Sequence, residues 1–465
     1  MTVPRTPTPI PIPVSVPSAA PTGTTIADPR RVLANMAAKG VSLVIEKGAQ
    51  LALLLVGAPA LGVVTFGRYS YAASVSTLLA FGTDLGLTLW TTRALARDPA
   101  HAPDVLATSF RLRLAATLPY VVCLIAIALA LGPGDARLAM MALGVSSLAR
   151  ALLDHARAMF RAHEEIGHEG KLNAVTAVLA SAAGLGALLA TGRGLSALAV
   201  GVMVGTLAGS AYGVTLFRRR HGRWLGHGTF VPQLARRMLR EALPFWLAGM
   251  FALGYSRGDV VILRGFAGEA EVGAFRAAGQ LFEVTKNLPP LVLTALFPQL
   301  ARDFRASRAR LARMEGIIAG GLLAAGVVVA AGLAVAAGPL AHRIFGPEFS
   351  RTVPALRILA LALPLLFLNF GLTHFLVARD LGMLNLIFSG LMVAVSLAAN
   401  LLLAPRWGST GAAWATLATE ASLALCCVLA LVRVRRRDRE GLSPPADGPV
   451  PPPVDPGREA TPPED

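Results

Sequence analysis

The sequence predicts an all-α integral membrane protein with about twelve transmembrane helices in two six-helix lobes, and three observations lead there. The 465 residues are 54% hydrophobic and only 15% charged, with a mean hydropathy of +0.59, whereas soluble domains carry roughly 25% charged residues. Apolar runs of membrane-crossing length recur along the chain. Lys and Arg gather between these runs on alternate sides.

A spanning helix needs roughly 20 apolar residues. Runs of that kind lie near 33–57, 67–92, 110–131, 137–160, 170–190 and 195–217, then near 241–263, 272–300, 315–338, 353–377, 383–404 and 411–432. With the N-terminus in the cytoplasm, the even-numbered gaps and the C-terminal tail should hold the excess of positive charge. They do: Arg218 to Arg220, Arg236, Arg237 and Arg240, Arg302 to Arg313 and Arg433 to Arg439 all fall on that side. The opposite gaps hold Arg68, Arg137, Arg193, Arg264, Arg343, Arg351 and Arg406. A missing helix would scramble this asymmetry, so helix number and orientation support each other.

The second half echoes the first at an offset of about 206 to 216 residues. Gly67-Arg-Tyr-Ser-Tyr-Ala-Ala opens span two and Gly273-Ala-Phe-Arg-Ala-Ala opens span eight. Leu172-Asn173 and Leu384-Asn385 open spans five and eleven, and Gly194 and Gly408 precede spans six and twelve. An even offset keeps both halves in one orientation, so the expected repeat is parallel about an axis normal to the membrane. The resulting division is a disordered cytoplasmic tail over 1–31, a first lobe over 32–217 and a basic linker over 218–240. A second lobe follows over 241–432, then a cytoplasmic tail over 433–465 that is basic and then Pro-rich and acidic.

Several function classes drop out. The net charge of +16 is spread in short clusters between apolar runs, unlike the continuous basic patch of a nucleic-acid binder. Cys123, Cys426 and Cys427 sit in apolar runs and form no metal-ligand spacing. His163, Glu164, Glu165 and His168 cluster in a loop beside basic residues and read as a solvated turn. No phosphate-binding Gly-Lys-Ser/Thr loop occurs, and no cofactor is expected.

Ionisable residues at bilayer depth are default candidates for a transport path. Glu46 and Lys47 lie well inside span one, where they either line a polar cavity or pair structurally. Arg276, Glu283 and Lys286 share one side of span eight. Arg257 and Asp259, two apart in span seven, point to different faces. Asp84 has no opposite charge within four residues of its own helix, which suits a protonatable or cation-coordinating carboxylate, and Glu420 is a weaker candidate of the same kind. Arg150 and Asp154, four apart, are expected to bridge each other. Pro244, Pro289, Pro290, Pro298, Pro364, Gly249 and Gly254 offer bending points in second-half spans.

The segments Leu61-Gly-Val-Val-Thr-Phe-Gly-Arg-Tyr, Glu271-Val-Gly-Ala-Phe-Arg-Ala-Ala, Phe345-Gly-Pro-Glu-Phe and Asn400-Leu-Leu-Leu-Ala-Pro-Arg-Trp-Gly-Ser-Thr-Gly-Ala-Ala resemble the bacterial polysaccharide (O-antigen type) flippases. These belong to the multidrug, oligosaccharidyl-lipid and polysaccharide exporter superfamily, and the likeness extends over about Val32 to Val432. The resemblance implies a MATE-like, two-lobed flippase of the bacterial cytoplasmic membrane, with both termini cytoplasmic. It would carry an undecaprenyl-diphosphate-linked oligosaccharide by alternating access. It also implies a cavity lined by spans one, two, seven and eight. There Lys47, Arg257, Arg276 and Lys286 would bind substrate, while Glu46, Asp84, Asp259 and Glu283 would pair with them or take up a proton or sodium ion. Expected partners are the lipid-linked oligosaccharide, membrane lipids, and polysaccharide polymerase and glycosyltransferases, with the protein itself a monomer. The alternatives are a cation-coupled multidrug or small-molecule exporter, or a lipid II flippase; the latter usually carries two further helices, where charge and proline follow span twelve here.

Overall fold

The computed structural model describes residues 29–98, 101–192, 194–222, 228–286, 288–289, 308–379 and 381–439. Among them the regular elements are all helical. In chain order they are α1 (Pro29–Gly82), α2 (Leu87–Arg97), α3 (Ala102–Ala130), α4 (Asp135–Ala162), α5 (Ile166–Thr191), α6 (Gly194–His221), α7 (Pro232–Ala267) and α8 (Glu269–Thr285). Then come α9 (Arg308–Leu340), a π-turn (Ala341–Phe345), a 3-10 turn (Pro347–Phe349), α10 (Thr352–Ala378) and α11 (Gly382–Arg439). The tails over 1–28 and 440–465, and Pro290, Pro298, Arg302 and Arg305, lie outside the described residues.

Eight of these helices are long and apolar enough to cross a membrane. Two of the eight, 45 and 55 residues long, are long enough to cross twice, since a single crossing takes roughly 20 residues. Each bends at one glycine: Gly62 in α1 (φ 74°, ψ 164°) and Gly408 in α11 (φ 56°, ψ −131°). Positive φ strains any side-chain-bearing residue, so the glycine places the bend. The two arms of α1 therefore supply spans one and two, and those of α11 supply spans eleven and twelve. The charge-bearing helices α7 and α8 are not among the eight.

Span two, expected over 67–92, is instead broken. Its helix starts just after Gly62 and ends at Gly82, a turn with positive φ at Leu85 (50°) and Gly86 (73°) follows, and α2 continues the path. The basic segment expected over 218–240 as a linker is partly helical, because α6 runs on to His221 and α7 begins at Pro232. Pro232 sits in the first turn, where its missing N–H leaves no helical bond unmade.

Buried apolar residues form separate first-half clusters, around Leu143 and Leu198 and around Phe160 and Leu172. A second-half cluster surrounds Leu359 and Leu363. Helices within a half approach closely where glycines recur: a Cβ on Gly201 or Gly205 of α6 would lie 2.4 or 2.1 Å from an α5 carbonyl oxygen. Small residues at such crossings are the usual means of packing helices in lipid, where hydrophobic drive is absent. At the Arg-rich end, buried carboxylates tie helix ends together. Glu315 accepts two bonds from Arg379 at 2.8 Å and one from Arg435 at 2.9 Å, and Glu169 accepts two from Arg161 at 2.9 and 2.6 Å.

The halves meet at both ends. At the Arg-rich end the Trp90 indole N–H donates to Glu241 (2.8 Å), and Arg93 stacks over Phe245. At the Arg-poor end the contact is denser. A Cβ on Gly67 would lie 1.9 Å from the Glu269 carbonyl oxygen, and one on Gly273 would lie 2.0 Å from that of Val63. The contact is reciprocal, because 63 and 67 stand at the same distance in sequence from 269 and 273. Arg68 and Arg264 bind Glu269, while Glu271 accepts from Arg351 (2.6 Å) and from the Ser409 backbone N–H (2.8 Å). Beneath them Leu54, Ala58, Phe66, Ala277, Phe345 and Phe349 form a buried plug.

Gly273→Val should force α8 off α1, since overpacking of this kind costs about 1–3 kcal/mol. With the native cysteines replaced, thiol labelling of a Phe66→Cys reporter from the Arg-poor side should then become several-fold faster. Unchanged labelling would mean the glycine contact does not hold this end shut.

Candidate functional site

Directly under the plug, a cavity of about 240 Å³ lies between α1, α4, α5, α6, α7 and α8. Leu54 and Phe66 belong to both the plug and the cavity wall. Its polar lining includes Gln50, Tyr69, Arg150, Arg257, Arg276 and Gln280. Three guanidinium groups thus converge from α4, α7 and α8. Arg150 donates to Thr206 Oγ1 (3.3 Å), and among the described residues no carboxylate lies within ion-pair distance of any of the three. Arg cannot shed its charge in a protein, so the cavity wall carries three fixed cationic groups where solvent screening is weak, with Glu46, Asp259 and Glu283 acting on them from nearby.

Of the residues the sequence singled out, Arg257 and Arg276 meet in this cavity, Arg276 almost fully buried at 6% exposure. Asp259 accepts from the Val260 backbone N–H (2.7 Å) and lies in the electrostatic field of Arg276, Arg257 and Lys286. Glu283 acts likewise on Arg276. Glu46 and Lys47 form a local chain through Gln50, with Lys47 donating to its Oε1 (3.4 Å) and Gln50 donating to Glu46 (3.3 Å). Gln50 reaches the cavity wall, and Glu46 acts on Arg150 from the same side. Lys286 stacks its ammonium over the Phe282 ring at 4.8 Å and is not in the lining.

Two expectations are corrected. Asp84 is not an isolated carboxylate: it accepts from Arg113 Nη2 at 2.6 Å, and Arg113 is 1% exposed and also donates to the Ala151 carbonyl. Together with Thr88, this pair ties the break after span two to α3 and α4. The sequence could not show it, because the partner is 29 residues away on another helix. Arg150 does not bridge Asp154, which binds Arg157 instead, and Arg150 is thereby left to the cavity.

Gln50, Tyr69, Arg150 and Gln280 complete a site that the charged-residue reading covered only in part. A signal existed for two of them. Gln50 is four residues beyond Glu46 and Gln280 four beyond Arg276, which is the spacing of one helical face. Glu420 is buried in the second half, accepting from Tyr255 O–H (2.9 Å) and Asn369 Nδ2 (2.8 Å), both neutral donors.

A family model described as polysaccharide biosynthesis protein matches residues 32–304. The chain belongs to that family. Among solved structures, this family member is similar to an inward-facing multidrug resistance MATE family transporter of the MOP superfamily, with TM-score 0.67 and 14% identity over 87% of this chain and 100% of that one. It is similar to the lipid II flippase MurJ in an inward closed conformation, with TM-score 0.68 and 11% identity over 86% and 87% of the two chains. An outward-facing multidrug resistance MATE family transporter gives 0.54 and 16% over 88% and 97%. No curated protein matches the sequence. These likenesses establish the fold. The polysaccharide biosynthesis family member is accordingly a multi-pass membrane protein with the fold of these transporters.

Asp84→Asn should leave Arg113 charged, buried and unpaired, a loss of about 3–5 kcal/mol. The expected result is a clearly lower thermal midpoint of the detergent-solubilised protein with transport by the surviving fraction intact. Full stability combined with loss of ion dependence would restore Asp84 to a coupling role.

Proposed function

We propose that this protein moves an undecaprenyl-diphosphate-linked oligosaccharide from the cytoplasmic to the periplasmic leaflet of the cytoplasmic membrane for surface polysaccharide synthesis. The observation that carries the reading is the set of three arginines, Arg150, Arg257 and Arg276, facing one cavity without carboxylate partners among the described residues. A diphosphate supplies the missing negative charge, and planar guanidinium groups match its oxygens in pairs. A cationic drug would meet repulsion in the same place.

At about 240 Å³ the cavity is below the roughly 300–1,000 Å³ of typical ligand sites. Cargo larger than a compact head group therefore requires the halves to part. The positive-inside rule puts the Arg-rich end in the cytoplasm, so the plug and the Glu269 and Glu271 ion pairs form the outer gate. The two halves act as lobes of a parallel repeat, which is supported by the reciprocal Gly67 and Gly273 contact. Both termini face the cytoplasm, and one copy supplies both cavity walls. Polymerase and glycosyltransferases act on the cargo after and before its passage.

Coupling falls to Glu420 in preference to Asp84. Its hydrogen bonds come from neutral groups, so its charge is free to be balanced by a proton or sodium ion, whereas that of Asp84 is already balanced by Arg113.

Replacing Arg257 or Arg276 by Ala should lower export about 10- to 100-fold, because a charge-assisted hydrogen bond contributes roughly 1.5–3 kcal/mol. Lipid-linked oligosaccharide should accumulate on the cytoplasmic leaflet, as read by periplasmic glycan trimming. Normal surface polysaccharide combined with drug sensitivity would identify an exporter of small molecules instead. Glu420→Gln should keep cargo binding while abolishing the response of transport to an imposed proton or sodium gradient. Retention of that response would remove Glu420 from coupling.

A further inference from the structure

A second and larger cavity, about 610 Å³, lies away from the central site, on the flank of α4 where α3 and α6 pack on either side of it. Its walls are apolar, among them Leu106, Phe110, Leu152 and Val214. Phe110 and Val214 are 43% and 44% exposed, so the cavity opens sideways onto the surface that meets lipid. At its Arg-rich end two exposed arginines, Arg111 and Arg218, form the rim, and Gly228 closes the floor. That floor is pinned: the Thr229 backbone N–H donates to Asp104 at 2.7 Å, and the Val231 N–H donates to Thr108 Oγ1 at 3.2 Å.

Two of the lining residues each carry a buried polar atom with no partner among the described residues. His155 is 9% exposed and its Nδ1 is buried without a hydrogen bond, and Ser210 Oγ is in the same state. Both residues line the cavity. Buried polar atoms are seldom left unmatched, because each costs about 1–3 kcal/mol, and ligand oxygens entering at that depth would give both side chains a partner once they turn toward the lumen. Arg218 stands eight residues beyond Ser210 on α6, roughly 12 Å at the helical rise, a span its own long side chain shortens. The site thus asks for an amphiphile in three zones: an apolar chain, then ester-like oxygens, then an anion.

We propose that this flank cavity binds an anionic phospholipid of the leaflet at the Arg-rich end. An acyl chain lies along α4 between α3 and α6, ester oxygens meet His155 and Ser210, and the phosphate is held by Arg111 and Arg218. Basic pockets between transmembrane helices on the cytoplasmic side are suited to such head groups. The inference does not depend on the cargo of the central cavity. Bound lipid would touch the segment at Gly228 that connects the two halves, and would brace it against α3.

The test uses the full-length protein in detergent, titrated separately with phosphatidylglycerol, phosphatidylcholine and undecaprenyl phosphate and read by native mass spectrometry. Phosphatidylglycerol should be retained at least tenfold better than either of the others. Arg111→Gln with Arg218→Gln should remove that preference, and Ala149→Trp, which fills the cavity, should lower retention of phosphatidylglycerol about tenfold. Arg219→Gln with Arg220→Gln removes equal charge from positions outside the lining and should change nothing. The proposal is overturned if the Arg219 and Arg220 pair matters as much as the rim pair, or if the rim pair and Ala149→Trp both bind as the parent does. It also fails if undecaprenyl phosphate is preferred, which would make the cavity a berth for the cargo's isoprenoid chain.

Discussion

The rest of the structure depends on how α8 is held at its first turn. Glu269 and Glu271 stand where the partial positive charge of a helix N-terminus favours carboxylates, and each is also bound by arginine from another element: Arg68 and Arg264 on the first, Arg351 on the second. Glycine makes this attachment possible, since any side chain at Gly67 or Gly273 would collide with the opposing backbone. With α8 fixed against the second arm of α1, Arg276 and Gln280 follow one and two helical turns later and are carried into the central cavity. The closing contact and the binding surface are therefore consecutive turns of one helix. Movement at one necessarily moves the other.

The same end gathers every segment that resembles the polysaccharide flippases. Leu61 to Tyr69 supplies Phe66, Gly67 and Arg68, and Glu271 to Ala278 supplies Glu271, Gly273 and Arg276. Phe345 to Phe349 contributes two plug aromatics whose ring centres lie 5.3 Å apart, and Asn400 to Ala413 contributes Gly408 and the Ser409 N–H. A Cβ at Gly408 would meet the Glu271 carboxylate at 2.7 Å. Segments far apart in sequence thus share a single task, which is to meet without side-chain obstruction while satisfying two acidic residues. Charges elsewhere serve different ends. Asp84 with Arg113, and Glu315 with Arg379 and Arg435, are compensated locks between helices, whereas the three cavity arginines have no carboxylate at ion-pair distance among the described residues.

Much of the architecture was legible because lipid imposes simple rules: crossing length, apolar content and the sidedness of Lys and Arg are all properties of consecutive residues. The break after Gly82 was not legible, since the run over 67–92 stays apolar on both sides of it and the turn is decided by Asp84 binding an arginine on another helix. The site was read in part. Arg257 and Arg276 stood out as charges at bilayer depth, but Arg150 had a plausible partner four residues away in Asp154, and nothing local shows that Arg157 takes that partner instead. Lys286 stood out equally and proved to stack on Phe282.

By itself, the sequence determined that this chain is an all-helical, multi-pass membrane protein, which gaps between apolar runs carry the positive charge, and which few ionisable residues enter those runs. Hydration and burial energies act residue by residue, so order along the chain is enough to reveal them. Only the tertiary structure decided which of those charges neutralise one another and which remain unpaired around a common space. Ion pairing depends on distance between helices, and that distance is set by glycine contacts and by bends at Gly62 and Gly408 that bring together residues more than two hundred positions apart.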